Sequence, residues 1–273
     1  MDPIVSRNKE LAIICIKAMF YGHDDACIQL INQYKTFYDT YIDHNGYIGI
    51  NPLIGACIYD KADIAHLLIV NGCDLRRCNY NDENILIFAC RYDRISIVKD
   101  IIKTGHIDIN TRGEYGQTPL SIMCIDNCLD IITEFLNNGA NVNCVNIYGD
   151  TPLMYAVKRY GNEGTIIELI RRGADVNILN KSKSSALSLL ASFAQYNGDK
   201  YILLLIEAGA HFVDHIDNIR KCKYTNVLNC IANKYKTAVI DTIDDMSSDN
   251  ALYCSFRTTY AVGLVDIICG YVV

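Results

Sequence analysis

The chain reads as an all-α solenoid of helix-turn-helix units joined by β-hairpin-like loops, and three observations predict it. Residues 116–120 and 149–153 both spell Gly-x-Thr-Pro-Leu, which sets Pro119 and Pro152 33 residues apart. Residues 139–143 and 173–177 both spell Gly-Ala-(Asn/Asp)-Val-Asn. Gly72, Gly105, Gly139, Gly173 and Gly209 follow one another at spacings of 33, 34, 34 and 36. A fixed period of this size marks stacked units that each bury an apolar face only against their neighbours.

One unit can be read residue by residue. Thr118 can accept from a free backbone N–H and cap a helix, and Pro119 follows at the first helical position, where no hydrogen bond is lost. Leu120, Met123 and Cys124 recur at i, i+3 and i+4, the buried face of a short helix. Asp126 and Asn127 break it. Ile131, Ile132, Phe135 and Leu136 form a second apolar stripe, and Gly139 stands where a left-handed residue ends a helix. Asn141, Asn143 and Gly149 supply turns for an extended return. The period and the Thr-Pro-Leu phrase resemble the ankyrin repeat. Ser121 and Met154 hold the place of the His that, in that family, helps tie neighbouring loops.

In chain order, residues 1–46 hold a degenerate N-terminal capping repeat and a connector. Within them, Ile16, Ala18 and Met19 fit an inner helix and Cys27, Leu30 and Ile31 an outer one. Residues 35–49 are a longer, Tyr-rich connector. Five repeats follow, at about 47–79, 80–113, 114–146, 147–180 and 181–217. Asn51-Pro-Leu, Asn84-Ile-Leu and Ser185-Ala-Leu replace Thr-Pro-Leu in the first, second and fifth of them. His106 is a one-residue insertion in a return loop, where extra length costs little. Residues 218–273 read as an irregular helical C-terminal cap.

The charge pattern bounds the partners. A net charge of −6 with 21% charged residues opposes sequence-independent nucleic-acid binding, which needs a basic surface. Thirteen cysteines in no zinc-finger spacing, an odd count without a secretory signal, point to buried free thiols in a reducing compartment. Lys17 interrupts the apolar run at 11–16 and Asp266 the one at 261–273, so neither forms a membrane span. A soluble, cytoplasmic, monomeric chain is expected.

Chemistry-bearing motifs are sparse. His211 and His215 have i, i+4 spacing, but they follow a helix-ending glycine and no third ligand is near, so no metal is expected. Cys124 and Cys128 share that spacing, yet Cys124 fills the small core slot. The basic residues 220–223 read as a solvated loop or an import or acidic-partner patch. No phosphate loop, nucleophile elbow or paired-carboxylate site appears, so neither an enzyme nor a cofactor is expected.

The ankyrin resemblance implies recognition of other proteins by inner helices and hairpin tips. The phrases at 150–156 and 172–177, with the Cys/Tyr/Ile/Asn-rich composition, resemble poxviral ankyrin proteins. That resemblance implies capture of a host factor of innate immunity or host range. The tail at 264–271 has the apolar spacing of an F-box-like helix without its Leu-Pro opening, so no complete F-box-like end is identified. An IκB-like inhibitor, a ubiquitin-ligase substrate adaptor or a regulatory fragment of a larger protein are the alternatives. Counting from the Leu slots at 53, 86, 120, 153 and 187, the second and sixth positions after each gather aromatics. The expected partner-binding residues are therefore Tyr59, Phe88, Tyr92, Tyr155 and Phe193, with Arg91, Lys158 and Arg159 beside them. The alternative is that these rings pad contacts between adjacent inner helices.

Overall fold

A computed structural model describes residues 3–79, 83–126, 128–158, 163–192, 198–211, 227–230 and 232–233. Arg159, Phe193, His215, the basic residues 220–223, the tail at 264–271 and most of the C-terminal cap lie outside the described residues. The chain falls into two compact units, Met1–Asp175 with Leu179–Lys183 and Val176–Ile178 with Ser184–Val273.

The first unit is a row of helix pairs. They are α1 (Pro3–Tyr21) with α2 (Asp24–Gln33), α3 (Pro52–Ile58) with α4 (Ala62–Val70), and α5 (Ile85–Arg91) with α6 (Ile95–Thr104). Next come α7 (Pro119–Asp126) with α8 (Leu129–Asn137), and α9 (Pro152–Lys158) with α10 (Glu163–Arg171). The second unit contains α11 (Ala186–Ser192) and α12 (Gly198–Glu207). Helix α1 starts at Pro3, near the beginning of the segment 1–46 read as a capping repeat and connector. The Tyr-rich connector folds back as an antiparallel hairpin of β1 (Ile42–His44) and β2 (Tyr47–Ile50), with His44 opposite Tyr47. Phe37 and Tyr38 of this connector are buried, and the Tyr38 hydroxyl donates to the Ile31 carbonyl at 2.7 Å.

The starts of the inner helices show why the repeat tolerates its own variation. Asn51 accepts from Ile54 N at 2.9 Å, and Asn84 from Leu86 N and Ile87 N at 3.1 and 3.3 Å. Thr118, Thr151 and Ser185 accept from Ser121 N, Met154 N and Ser188 N at 3.3, 3.2 and 3.1 Å. Asn, Thr and Ser each present one short-armed oxygen to the free donors of the first turn, so the start is kept while the letters change. Ser121, in the family's His position, bonds locally: its hydroxyl accepts from Thr118 N at 2.9 Å and donates to Thr118 O at 2.8 Å. At the other end, Gly72, Gly105, Gly139, Gly173 and Gly209 all have φ between 65° and 92°. A Cβ at any of them would touch nothing within 4 Å, so the left-handed backbone rather than space demands glycine.

Inner helices stack on inner helices (α1 on α3, α3 on α5, α5 on α7, α7 on α9), and outer helices on outer for α2/α4, α4/α6 and α8/α10. The Leu slots 53, 86, 120 and 153 are all sealed from solvent, each worth about 1.5–3 kcal/mol of apolar burial. Burial pushes the thiols of Cys57, Cys90 and Cys124 upward, so these serve as small apolar core groups. No described helix is long and apolar enough to cross a membrane.

Neighbouring return loops are tied by a repeated side-chain clip. Asn110 donates to Gly139 O at 3.1 Å and accepts from Asn141 N at 2.8 Å. Asn143 does the same to Gly173 O and Asp175 N at 3.0 and 2.8 Å. Within the second unit, Asn177 repeats it with Gly209 O and His211 N at 3.1 and 2.8 Å. An amide suits this place because it carries a donor and an acceptor together.

Candidate partner-binding face

The inner helices and the hairpins before them present the residues that the sequence pattern singled out. Tyr92 closes α5 and stacks on Phe88 with ring centroids 6.3 Å apart and an interplanar angle of 7°. Phe88 is 5% exposed, so its ring lies beneath Tyr92 instead of facing solvent. Tyr47 on β2 hydrogen-bonds the Tyr92 hydroxyl. Around this pair lies a pocket of about 310 Å³ lined by Gly46, Tyr47, Asn79, Glu83, Arg91 and Tyr92. The pocket exists because the finger before α3 is a true hairpin whose turn reaches the end of α5.

Arg91 and Lys158 are held within the fold. Glu83 is a buried carboxylate that Arg91 grips with both terminal nitrogens, the Nη1–Oε2 bond being 3.0 Å. Lys158 bonds Asp150 at 3.0 Å and lies 5.7 Å from the Tyr155 ring centre. In both repeats the carboxylate sits one residue before the helix cap and eight before the cation. Each cation is about one-third exposed, at 37% for Arg91 and 35% for Lys158. A partner therefore meets each of these cations as one half of a positioned ion pair. The repeat at 114–146 carries Gln117 and Ile125 at those places and has no such pair.

The phenols are also fixed. The Tyr155 hydroxyl accepts from Asn146 at 2.7 Å, and Asn180 donates to the Asp150 of the adjoining ion pair at 2.8 Å. Burial pushes the phenols of Tyr59, Tyr92 and Tyr155 above their ordinary value, so all three are neutral at pH 7. Tyr59 belongs to an edge-packed cluster with Phe20 of α1 at 5.5 Å and His44 of β1 at 6.5 Å. Burial, with the charge of Lys17, lowers the His44 pKa.

The rings thus form two groups. One gathers Phe20, His44, Tyr47, Tyr59, Phe88 and Tyr92; the other is Tyr155 with Lys158. Between them the repeat at 114–146 offers the buried Ile122 and the acidic residue Asp126. The sequence reading missed Phe20, His44 and Tyr47, although the Tyr-rich connector was a signal that the first hairpin was unusual. No group of three His, Cys, Asp or Glu suited to a metal occurs among the described residues.

Comparison with known proteins adds the family. A family model described as ankyrin repeats, in three copies, matches residues 14–113 and 105–180. An ankyrin repeat protein of fowlpox virus, FPV230, is 27% identical over 170 residues, covering 60% of this chain and 85% of its own. The nuclear factor NF-kappa-B p105 subunit of Rattus norvegicus is 24% identical over 135 residues, 48% of this chain and 14% of that protein. The matched stretch spans a third or less of the length of several animal relatives. A solved ankyrin repeat domain from Acinetobacter baumannii superposes with a TM-score of 0.62 at 21% identity, covering 72% of this chain and 98% of that one. Ankyrin repeats serve generally as non-enzymatic scaffolds for protein–protein interaction. With the family model spanning more than half of the sequence and the fold the same, the chain belongs to the ankyrin repeat family.

Proposed function

We propose that this chain is a viral interaction protein that binds a host factor of innate defence or host range in the host-cell cytoplasm. The observation that carries the binding part is the rigid aromatic face around the pocket of Tyr47, Tyr92, Arg91 and Glu83, with Tyr155 and Lys158 further along. Tyr and Arg dominate interface energies when a partner desolvates them, and rings already held by hydrogen bonds lose little entropy on binding. Tyr59 adds its ring to the cluster with Phe20 and His44, and Phe88 backs Tyr92. Arg159 and Phe193 extend it in the sequence pattern. The viral part is supported by the likeness to the fowlpox protein, most of whose length is matched.

The test is affinity capture from transfected host cells followed by mass spectrometry, comparing wild type with Tyr92→Ala and Tyr155→Ala. Loss of the same captured proteins in both variants, at an unchanged melting temperature, supports the reading. Full retention in both sinks it.

A second reading is an IκB-like inhibitor that holds a transcription factor in the cytoplasm. The likeness to the p105 subunit favours it. A Rel-family protein among the captured proteins would select it.

A further inference from the structure

Helix α1 carries a face that nothing among the described residues covers. It packs on α2, α3 and β1, burying Leu11, Ala12, Cys15, Ile16, Ala18 and Met19. On the other side Arg7, Glu10, Ile14, Lys17 and Tyr21 are all exposed, Ile14 at 51% and Tyr21 at 66%. Their spacings of 3, 4, 3 and 4 keep them on a strip about 80° wide, since an α-helix turns about 100° per residue. No other described helix exposes more than one large apolar side chain, whereas α1 also exposes Ile4, Val5 and Phe20. A repeat stack stays in solution when the outward face of its end pair is polar. The outward face of this first described pair instead mixes an aliphatic and an aromatic side chain with charges of both signs.

The order of side chains on this strip makes it complementary to itself. Arg7, Glu10 and Lys17 form no ion pair among the described residues. Two copies of α1 laid antiparallel about Ile14 set Ile14 on Ile14, Arg7 on the second copy's Tyr21, and Glu10 beside the second copy's Lys17. The last two contacts each occur twice. Arg7 is already held in place, its guanidinium carbon 5.1 Å from the Tyr34 ring centre. A planar guanidinium resting on one ring presents its other face to a second. Sliding one copy by four residues sets Arg7 against Lys17, and sliding it by three the other way sets Ile14 against Lys17. A parallel pair sets each charge against itself, and like charges facing one another at an interface are costly. Of these arrangements, the antiparallel one centred on Ile14 alone joins apolar to apolar and opposite charge to opposite charge. Pairing of one patch with itself about a two-fold axis is also the commonest way for soluble chains to associate. We infer that the exposed face of α1 pairs two copies of this chain, antiparallel about Ile14, in place of the monomer expected from the sequence.

Sedimentation velocity of the full chain over a concentration series tests this, with melting temperature as the folding check for every variant. The wild type is expected to pass from monomer to dimer as concentration rises, and Ile14→Glu to abolish the dimer. Glu10→Lys and Lys17→Glu should each weaken it about ten-fold, because each sets two pairs of like charges together. An equimolar mixture of those two variants should dimerise as the wild type does, since one copy then offers cations at both places and the other carboxylates. Tyr92→Ala, in the inner-helix pocket, should leave the dimer unchanged, which separates this face from the one proposed above. A wild type that stays monomeric at every concentration overturns the inference. So does a dimer that survives Ile14→Glu, or one that is lost on Tyr92→Ala. Charge reversals that act singly but are not rescued by mixing overturn the antiparallel register and the inference with it. A monomeric wild type that sediments with phosphatidylserine vesicles, and no longer does so as Lys17→Glu, would give the face to anionic lipid instead.

Discussion

The N-terminal and C-terminal halves of the first compact unit stack the same helix pairs but stitch them differently. In the C-terminal half the return loops are joined by the amides of Asn110 and Asn143, and the fingertips by backbone bonds. In the N-terminal half Asp39 makes only the accepting half of the clip, taking Asp74 N at 2.9 Å. At the next junction Arg76 replaces the amide, with its side chain 79% exposed, and His106 lengthens the facing loop. There an opening of about 520 Å³ lies between Gly72–Arg76 and Thr104–His106. Ion pairs cross between helix pairs in this half: Lys61 with Asp24 at 2.9 Å, and Arg94 with Asp60 at 3.3 Å while bonded to Cys57 O at 2.8 Å. The same stack can thus be secured by local amides or by longer charged arms, because the buried Leu and Cys slots supply most of the attraction in both halves.

If that is right, truncating the common slot should hurt both halves alike. Leu53→Ala and Leu153→Ala are each expected to cost about 2–5 kcal/mol in denaturant unfolding. A loss confined to one half would break the comparison. Asn143→Ala removes two hydrogen bonds at the surface and should cost about 1–2 kcal/mol, and Asn110→Ala should match it; a neutral result would show the clips to be passengers. Conversely, Arg76→Asn with His106 removed should install the missing clip and gain about 1 kcal/mol. Hydrogen exchange of the loop amides near residue 107 should then slow. Lys61→Met is expected to cost about 0.2–1 kcal/mol, with the loss shrinking in high salt, whereas the Asn143 effect should persist there.

The smallest expected effect concerns Glu168 on α10. Burial pushes its carboxyl pKa up, but bonds from Arg172 and Arg171, both at 2.9 Å, outweigh this and leave it lowered. A lowered folded pKa means stability that is present above the unfolded carboxyl value of about 4.3 and is lost as pH falls through the folded value. Glu168→Gln should therefore lower the neutral plateau of a stability–pH curve and flatten its acid limb, the two proteins converging as pH falls through the folded carboxyl value. An unchanged acid limb would show that the cluster adds no pH-linked stability.

What could be read from the sequence alone was what recurs and acts locally. A cap oxygen, a Leu slot and a left-handed glycine each work within a few residues and repeat every 33 to 36, so five copies corroborate one another. Arg91 and Lys158 were legible as residues but not as charges. Each is neutralised by a carboxylate eight positions upstream, across a cap and a helix, where only the folded turn brings them together. Phe88 followed the pattern of an exposed slot, yet its ring is buried beneath Tyr92, beside a pocket that the first hairpin helps to line. The exposure of Tyr115, Tyr148 and Leu179 was not legible in the sequence, because exposure is a property of what fails to cover a residue. Local chemistry settled the unit and its period; the tertiary structure decided which side chains the stacked units left for others, since that depends on neighbours 30 or more residues away.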